Sequence, residues 1–100
     1  MLKIQNYING VTQSISNNYS PVYDPSKGEQ ISQVVLSNEQ DFKKCIISSQ
    51  NAFQEWSSIT PLKRSRILSK FKVNIEKNIE NLAKIICIEH GKTFEDAKGS

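Results

Sequence analysis

The 100 residues carry a net charge of +3, with 37% hydrophobic and 23% charged side chains. That balance argues against a disordered chain, and the mild charge argues against a dedicated nucleic-acid binder. A chain of this length makes one domain or part of one, able to bury roughly 60–70% of its extended surface.

The first third reads as hairpins. Asn9-Gly10 sits between "IQNYI" and "VTQSIS", and Asn-Gly supplies the positive φ angles of a tight two-residue turn. A second pair follows, "SPVYD" and "EQISQVVL", joined by Pro25, Ser26, Lys27 and Gly28. Pro25 presets one turn dihedral and Gly28 can take the left-handed position. The amino-terminal stretch lacks the continuous apolar core of a signal peptide. No apolar run is long enough to span a membrane. With the mild net charge, these features predict a cytoplasmic protein that uses neither a membrane nor a nucleic acid as partner.

From Ser37 the apolar period becomes helical. Ser37 and Gln40 fit a capping box, and Phe42, Cys45, Ile46, Ser49, Ala52, Phe53 and Trp56 form one stripe. Thr60 and Pro61 open a second helix, whose stripe is Arg64 (aliphatic stem), Ile67, Leu68, Phe71 and Ile75. Asn78 is the expected cap of a third helix, carrying Ile79, Leu82, Ala83 and Ile86 and closed by Gly91. Near its end "IICI" makes that helix apolar on most sides, and such a helix needs cover on most sides. Thr93 and Asp96 then repeat the capping pattern, but the seven residues "FEDAKGS" are too short for a stable isolated helix. The pattern is that of a fragment.

Chemistry-bearing residues are few. Cys45 and Cys87 lie among apolar neighbours and read as buried structural thiols, and His90 is the one histidine. "HGKT" holds the end of a phosphate-loop pattern, yet the required first glycine is Ile86 and a helix precedes it. Gly91 reads instead as a helix terminator. Glu89, Glu95 and Asp96 sit at a helix end and a helix start, which explains them without catalysis. Lys63, Arg64, Arg66, Lys70, Lys72 and Lys77 make the second helix basic. A solvated face is the plain account, and a binding face for an anionic partner the alternative.

One resemblance ties these pieces together. "YINGV", "PVYDPSKGEQISQVVLS", "NAFQEWSSITPLKRSRIL" and "NLAKIICIEHGKTFEDAKGS" stand in an order that resembles the amino-terminal part of the aldehyde dehydrogenase superfamily. "EHGKT" followed by "EDAKG" is most similar to the methylmalonate-semialdehyde dehydrogenase branch. The resemblance implies an α+β fragment of two N-terminal β-hairpins followed by three α-helices. That is the opening part of an aldehyde dehydrogenase α/β (Rossmann-like) fold. It divides into residues 1–36, a hairpin region, and residues 37–100, a helical region of one incomplete domain.

For the full-length family the resemblance implies homo-oligomers, a cysteine nucleophile, NAD as hydride acceptor and coenzyme A as acyl acceptor. Those segments lie downstream in the family. No catalytic, cofactor-binding or metal residue is therefore assigned to this chain, and neither cysteine matches the nucleophile. The expectation is the N-terminal portion of an NAD-dependent, CoA-acylating (methyl)malonate-semialdehyde dehydrogenase, truncated and inactive alone. The alternative is a self-contained module binding an anionic partner through the basic second helix.

Overall fold

Five short strands precede four helices in a computed structural model that describes every residue from Met1 to Ser100. The strands are β1 (Leu2–Ile4), β2 (Asn6–Ile8), β3 (Val11–Gln13), β4 (Tyr19–Asp24) and β5 (Glu29–Val35). The helices are α1 (Glu39–Ser58), α2 (Pro61–Lys77), α3 (Ile79–His90) and α4 (Phe94–Lys98).

Both expected hairpins form for the expected local reasons. β2 and β3 pair antiparallel with Ile8 opposite Val11, which leaves Asn9 and Gly10 as the turn. Their φ angles of 53° and 78° are both positive, as a mirror-image turn that matches strand twist requires. In the second hairpin the Gly28 N–H donates to Asp24 O at 2.8 Å, and the Ser26 N–H donates to Asp24 Oδ1 at 2.9 Å. At the far end the Leu36 N–H donates to Asn18 O, so β4 and β5 run antiparallel. An additional strand was not anticipated. β1 lies parallel to β5, with Leu2 opposite Ser32, and makes the sheet order β1-β5-β4. Its partner is distant in sequence, and no turn chemistry announces such a pairing.

The start of α1 departs from the expected capping box by one residue. Asn38 and Asp41 form the reciprocal pair: the Asp41 N–H donates to Asn38 Oδ1 at 2.9 Å, and the Asn38 N–H donates to Asp41 Oδ2 at 3.0 Å. Ser37 is unavailable because its hydroxyl exchanges hydrogen bonds with the Asn6 side chain. Asp41 does more than cap. Its carboxylate also accepts from the backbone N–H groups of Ile15 at 2.6 Å and Ser16 at 3.2 Å. The segment after β3 is thereby tied to the mouth of α1, and Asp41 is 2% exposed.

The remaining helix ends follow their sequence signals with one exception. Thr60 caps α2 through the Lys63 N–H, with Pro61 as the first helical residue. Thr93 caps α4 through the Asp96 N–H. Gly91 ends α3 at φ 78°, and its N–H donates to Cys87 O. Asn78 is the exception. Its side chain makes no bond to α3 and turns back, donating through Nδ2 to Asn74 O of α2. The five-residue α4 is formed, supported by its packing against α3.

The chain divides into two compact units. One joins residues 1–22 with 30–58, and the other joins the tip of the second hairpin, residues 23–29, with residues 59–100. Helix α1 thus groups with the strands, where β2 is its contact. The buried apolar residues of the first unit are Ile8 and Val35; those of the second are Ala83 and Ala97, on the paired helices α3 and α4. No large side chain is fully buried anywhere.

Two consequences can be measured. The backbone N–H groups of Ile15, Asn38 and Ser16, with Lys44 nearby, hold the Asp41 carboxyl below its ordinary value, while burial opposes them. A lowered folded-state value means the stabilisation is complete above the ordinary aspartate pKa of about 4 and is lost as pH falls through the folded value. Thermal melts followed by circular dichroism should therefore place Asp41→Asn below the native sequence at pH 7, with the gap closing below about pH 4. A pH-independent gap would contradict this. Separately, Gly91→Ala forces a side chain into the left-handed region and brings its Cβ to 3.2 Å from Pro25 Cγ. Denaturant titration should show a loss of about 1 kcal/mol or more.

Candidate functional site

The polar residues that could carry chemistry do not converge. Cys45 is exposed on α1, beside a shallow cavity of about 210 Å³ lined by Asn6, Ile8, Ser37, Asp41 and Phe42. Cys87 on α3 is half-buried. Both thiols are expected to be buried; the expectation fails for Cys45, which is exposed, and holds in part for Cys87. His90 is exposed in the last turn of α3 and Glu89 lies beside it, while Glu95 and Asp96 occupy the first turn of α4. No three His, Cys, Asp or Glu side chains lie together in a group that could hold a metal ion.

The Gly-Lys-Thr run is spent on helix ends. The Gly91 N–H is taken by Cys87 O, Thr93 Oγ1 accepts from the Asp96 N–H, and Lys92 Nζ lies 2.8 Å from Ser100 Oγ. Each of these groups has a partner inside the α3–α4 turn, and a phosphate would have to displace them. The basic residues of α2 lie on exposed surface, apart from the half-buried Arg64. The Arg64 guanidinium donates to Ile59 O, and Lys72 is 3.7 Å from Glu76 one turn on. An exposed i,i+4 pair of this kind contributes a few tenths of a kcal/mol. Lys70 and Lys77, with Ser69, Val73 and Asn74, line an open concavity of about 380 Å³ along α2 itself, and no residue of another element joins them there.

The prominent surface feature is apolar. Phe42, Ile46, Phe53 and Trp56, the stripe of α1, are all exposed, Phe53 by 64%. The α2 stripe of Ile67, Leu68, Phe71 and Ile75 is likewise exposed. On α3, Ile85 is 52% and Ile88 47% exposed, and Ile86 is half-buried. Had these three isoleucines been enclosed by the chain's own atoms, the fragment reading would have failed. A groove of about 350 Å³ runs along the second unit, lined by Ile75, Ile79, Leu82, Ile85 and Ile86 together with the buried Ala83 and Ala97. Contiguous apolar surface, as along this groove, is a common feature of surfaces that pack against other protein.

One residue of structural weight was missed in the sequence. Asp41 follows Asn38 by three positions, which is a capping-box spacing with Asn and Asp in place of Ser and Glu. That signal was available, but its reach to Ile15 and Ser16 was not, because those donors come from a distant loop.

Comparison with known proteins accounts for the fold. The sequence model of the aldehyde dehydrogenase family matches residues 11–100. Malonate-semialdehyde dehydrogenase 3 of Bacillus cereus is 41% identical over 97 residues, covering 96% of this chain and 20% of the relative. A malonate-semialdehyde dehydrogenase of Pseudomonas aeruginosa is 36% identical over 96 residues, covering 96% of this chain and 19% of the relative. Among solved structures, a protein assigned as methylmalonate-semialdehyde dehydrogenase from Sinorhizobium meliloti, complexed with NAD, superposes with a TM-score of 0.96. It is 31% identical, and the match covers 99% of this chain and 20% of that one. Methylmalonate-semialdehyde dehydrogenase from Oceanimonas doudoroffii gives 0.95 at 32% identity, with the same coverage. The chain thus spans about a fifth of the length of the relatives it matches, at their amino-terminal end. With the family model matched over residues 11–100 and an identity of 41% over 97 residues, this chain belongs to the aldehyde dehydrogenase family.

Proposed function

We propose that this chain is the amino-terminal portion of an NAD-dependent, CoA-acylating (methyl)malonate-semialdehyde dehydrogenase, and that it is inactive by itself. One observation carries the reading: the 100 residues keep the backbone of a much longer enzyme, at a TM-score of 0.96, while the apolar faces of their helices stay open. The identity of 41% to a malonate-semialdehyde dehydrogenase supports the substrate class. In the complete enzyme NAD takes the hydride and coenzyme A takes the acyl group. The residues of this chain supply neither function. Its Gly-Lys-Thr run is engaged in closing α3 and opening α4, so it offers no free cradle of N–H groups to a dinucleotide phosphate.

The contribution of these residues is architectural. They present two hairpins and a set of apolar helix faces to the rest of the enzyme, as one incomplete domain of a cytoplasmic homo-oligomer. No helix here is long and apolar enough to cross a membrane.

Absorbance at the NADH band reads the proposal directly. The purified 100-residue chain with methylmalonate or malonate semialdehyde, NAD and coenzyme A should give no turnover, and calorimetric titration should show no NAD binding. Sustained NADH formation dependent on the chain would overturn the proposal. A fusion of residues 1–100 to the unmatched remainder of the Bacillus cereus enzyme should oxidise malonate semialdehyde in a CoA-dependent manner. A soluble but inactive fusion would count against the assigned origin.

A further inference from the structure

We infer that Asn9-Gly10, the tip of the β2–β3 hairpin, is a site of spontaneous covalent modification. There the Asn9 amide closes onto the Gly10 nitrogen, loses ammonia and reopens with water as aspartate or isoaspartate. Three observations single the site out, and none depends on the family origin of the chain.

Sequence and exposure come first. Asn9 is the one asparagine of the chain followed by glycine. No side chain on Gly10 hinders its nitrogen, and a Cβ built there would meet nothing within 4 Å. Both residues are exposed, so water reaches the amide and ammonia can leave. Asparagine is among the thermolabile side chains.

The other asparagines are restrained. The Asn6 side chain exchanges hydrogen bonds with Ser37, Asn38 Oδ1 accepts from the Asp41 N–H, and Asn78 Nδ2 donates to Asn74 O. Asn51, Asn74 and Asn81 lie inside helices, where the N–H that follows each is committed to the helical ladder. After Asn17 the next N–H, that of Asn18, donates to Ser16 Oγ at 3.2 Å, and after Asn18 comes the bulky Tyr19. No hydrogen bond ties the Asn9 side chain.

The turn can also reach the reacting shape. Ring closure needs Asn9 to rotate about its Cα–C bond, out of the mirror-image turn. That turn joins strands of three residues in a two-stranded sheet of their own. A ribbon of this size is marginal alone and opens locally without unfolding the chain.

The chemistry balances without an oxidant or reductant. Hydroxide takes the proton of the Gly10 nitrogen, which attacks Asn9 Cγ. The N–Cγ bond forms, the Cγ–Nδ2 bond breaks, and Nδ2 leaves as ammonia with a proton from water. Water then adds to one of the two ring carbonyls and breaks its bond to nitrogen, which regains a proton. Opening at Cγ gives aspartate. Opening at the Asn9 backbone carbonyl gives isoaspartate, whose main chain runs through Cβ and Cγ. Either product removes one unit from the net charge of +3. Aspartate keeps the turn, because Asp-Gly also adopts it. Isoaspartate adds a methylene to a loop that Ile8 and Val11 close around just two residues. It thereby loosens the pairing that seats the buried Ile8 and the contact of β2 with α1.

Peptide mapping by mass spectrometry tests this. The chain is held at physiological temperature in neutral and mildly alkaline buffer, then digested at low pH. A gain of about one mass unit, amide nitrogen exchanged for oxygen, is expected in the peptide holding Asn9 ahead of every other asparagine. It should accumulate faster at the higher pH, and both products should appear. Asn9→Gly and Gly10→Ala should lose it. Because the φ of 78° strains alanine in the folded turn, Gly10→Ala is also compared with the native sequence in denaturant, where the slowing should persist. No gain at Asn9, an equal gain at Asn17 or Asn18, a gain that Gly10→Ala leaves unchanged, or a gain confined to denaturant overturns the inference. The isoaspartate form, separated chromatographically, should melt below both the unmodified chain and Asn9→Asp. Equal melting temperatures would overturn the loosening of the hairpin.

Discussion

The helices of this chain carry more apolar surface than the chain itself can cover, and most of its structure follows from that imbalance. Twenty-two large hydrophobic side chains are exposed, against four buried apolar residues of which two are alanine. Each exposed Leu, Ile or Phe forgoes part of the roughly 1.5–3 kcal/mol that full burial would contribute. The stripes on α1, α2 and α3 are amphipathic in the ordinary sense, and most of their large apolar side chains stay exposed. In relatives five times as long, the same residues are followed by four-fifths of the polypeptide.

What shapes the backbone under those conditions is hydrogen bonding at the helix ends. Asp41 collects three backbone N–H groups and gives its own to Asn38, holding a loop and a helix mouth together without apolar burial. Thr60, Thr93 and Gly91 close helix ends in the same way, through groups within four residues. Buried carboxylates of this sort are structural when every oxygen has donors. The consequence is a chain whose elements are well specified and whose core is not.

Legibility in the sequence divides along the same line. Asn9-Gly10, the Pro25–Gly28 turn, Thr60-Pro61, Gly91 and Thr93 could all be read because each signal and its partner lie within a few residues. The parallel strand β1 could not, since its partner β5 is some thirty residues away and the register Leu2–Ser32 has no local marker. The α1 cap fell one residue later because Ser37 is claimed by Asn6, another distant contact. Asn78 turned toward α2 rather than α3 because Asn74 O lies one turn behind it. Burial of Cys45 was misjudged for a different reason: periodicity shows which face wants cover, and not whether cover exists. The family is legible in the order of many weak motifs, each of them short.

The claim that the α3 face lies open in the isolated chain can be examined by methyl NMR on a monomeric, isoleucine-labelled sample. With a soluble paramagnetic probe added, the methyl groups of Ile85 and Ile88 should relax strongly, while Ile8, at 8% exposure, stays protected as the internal standard. Protection of Ile85 and Ile88 equal to that of Ile8 would contradict the account, because the chain would then be covering its own apolar helix.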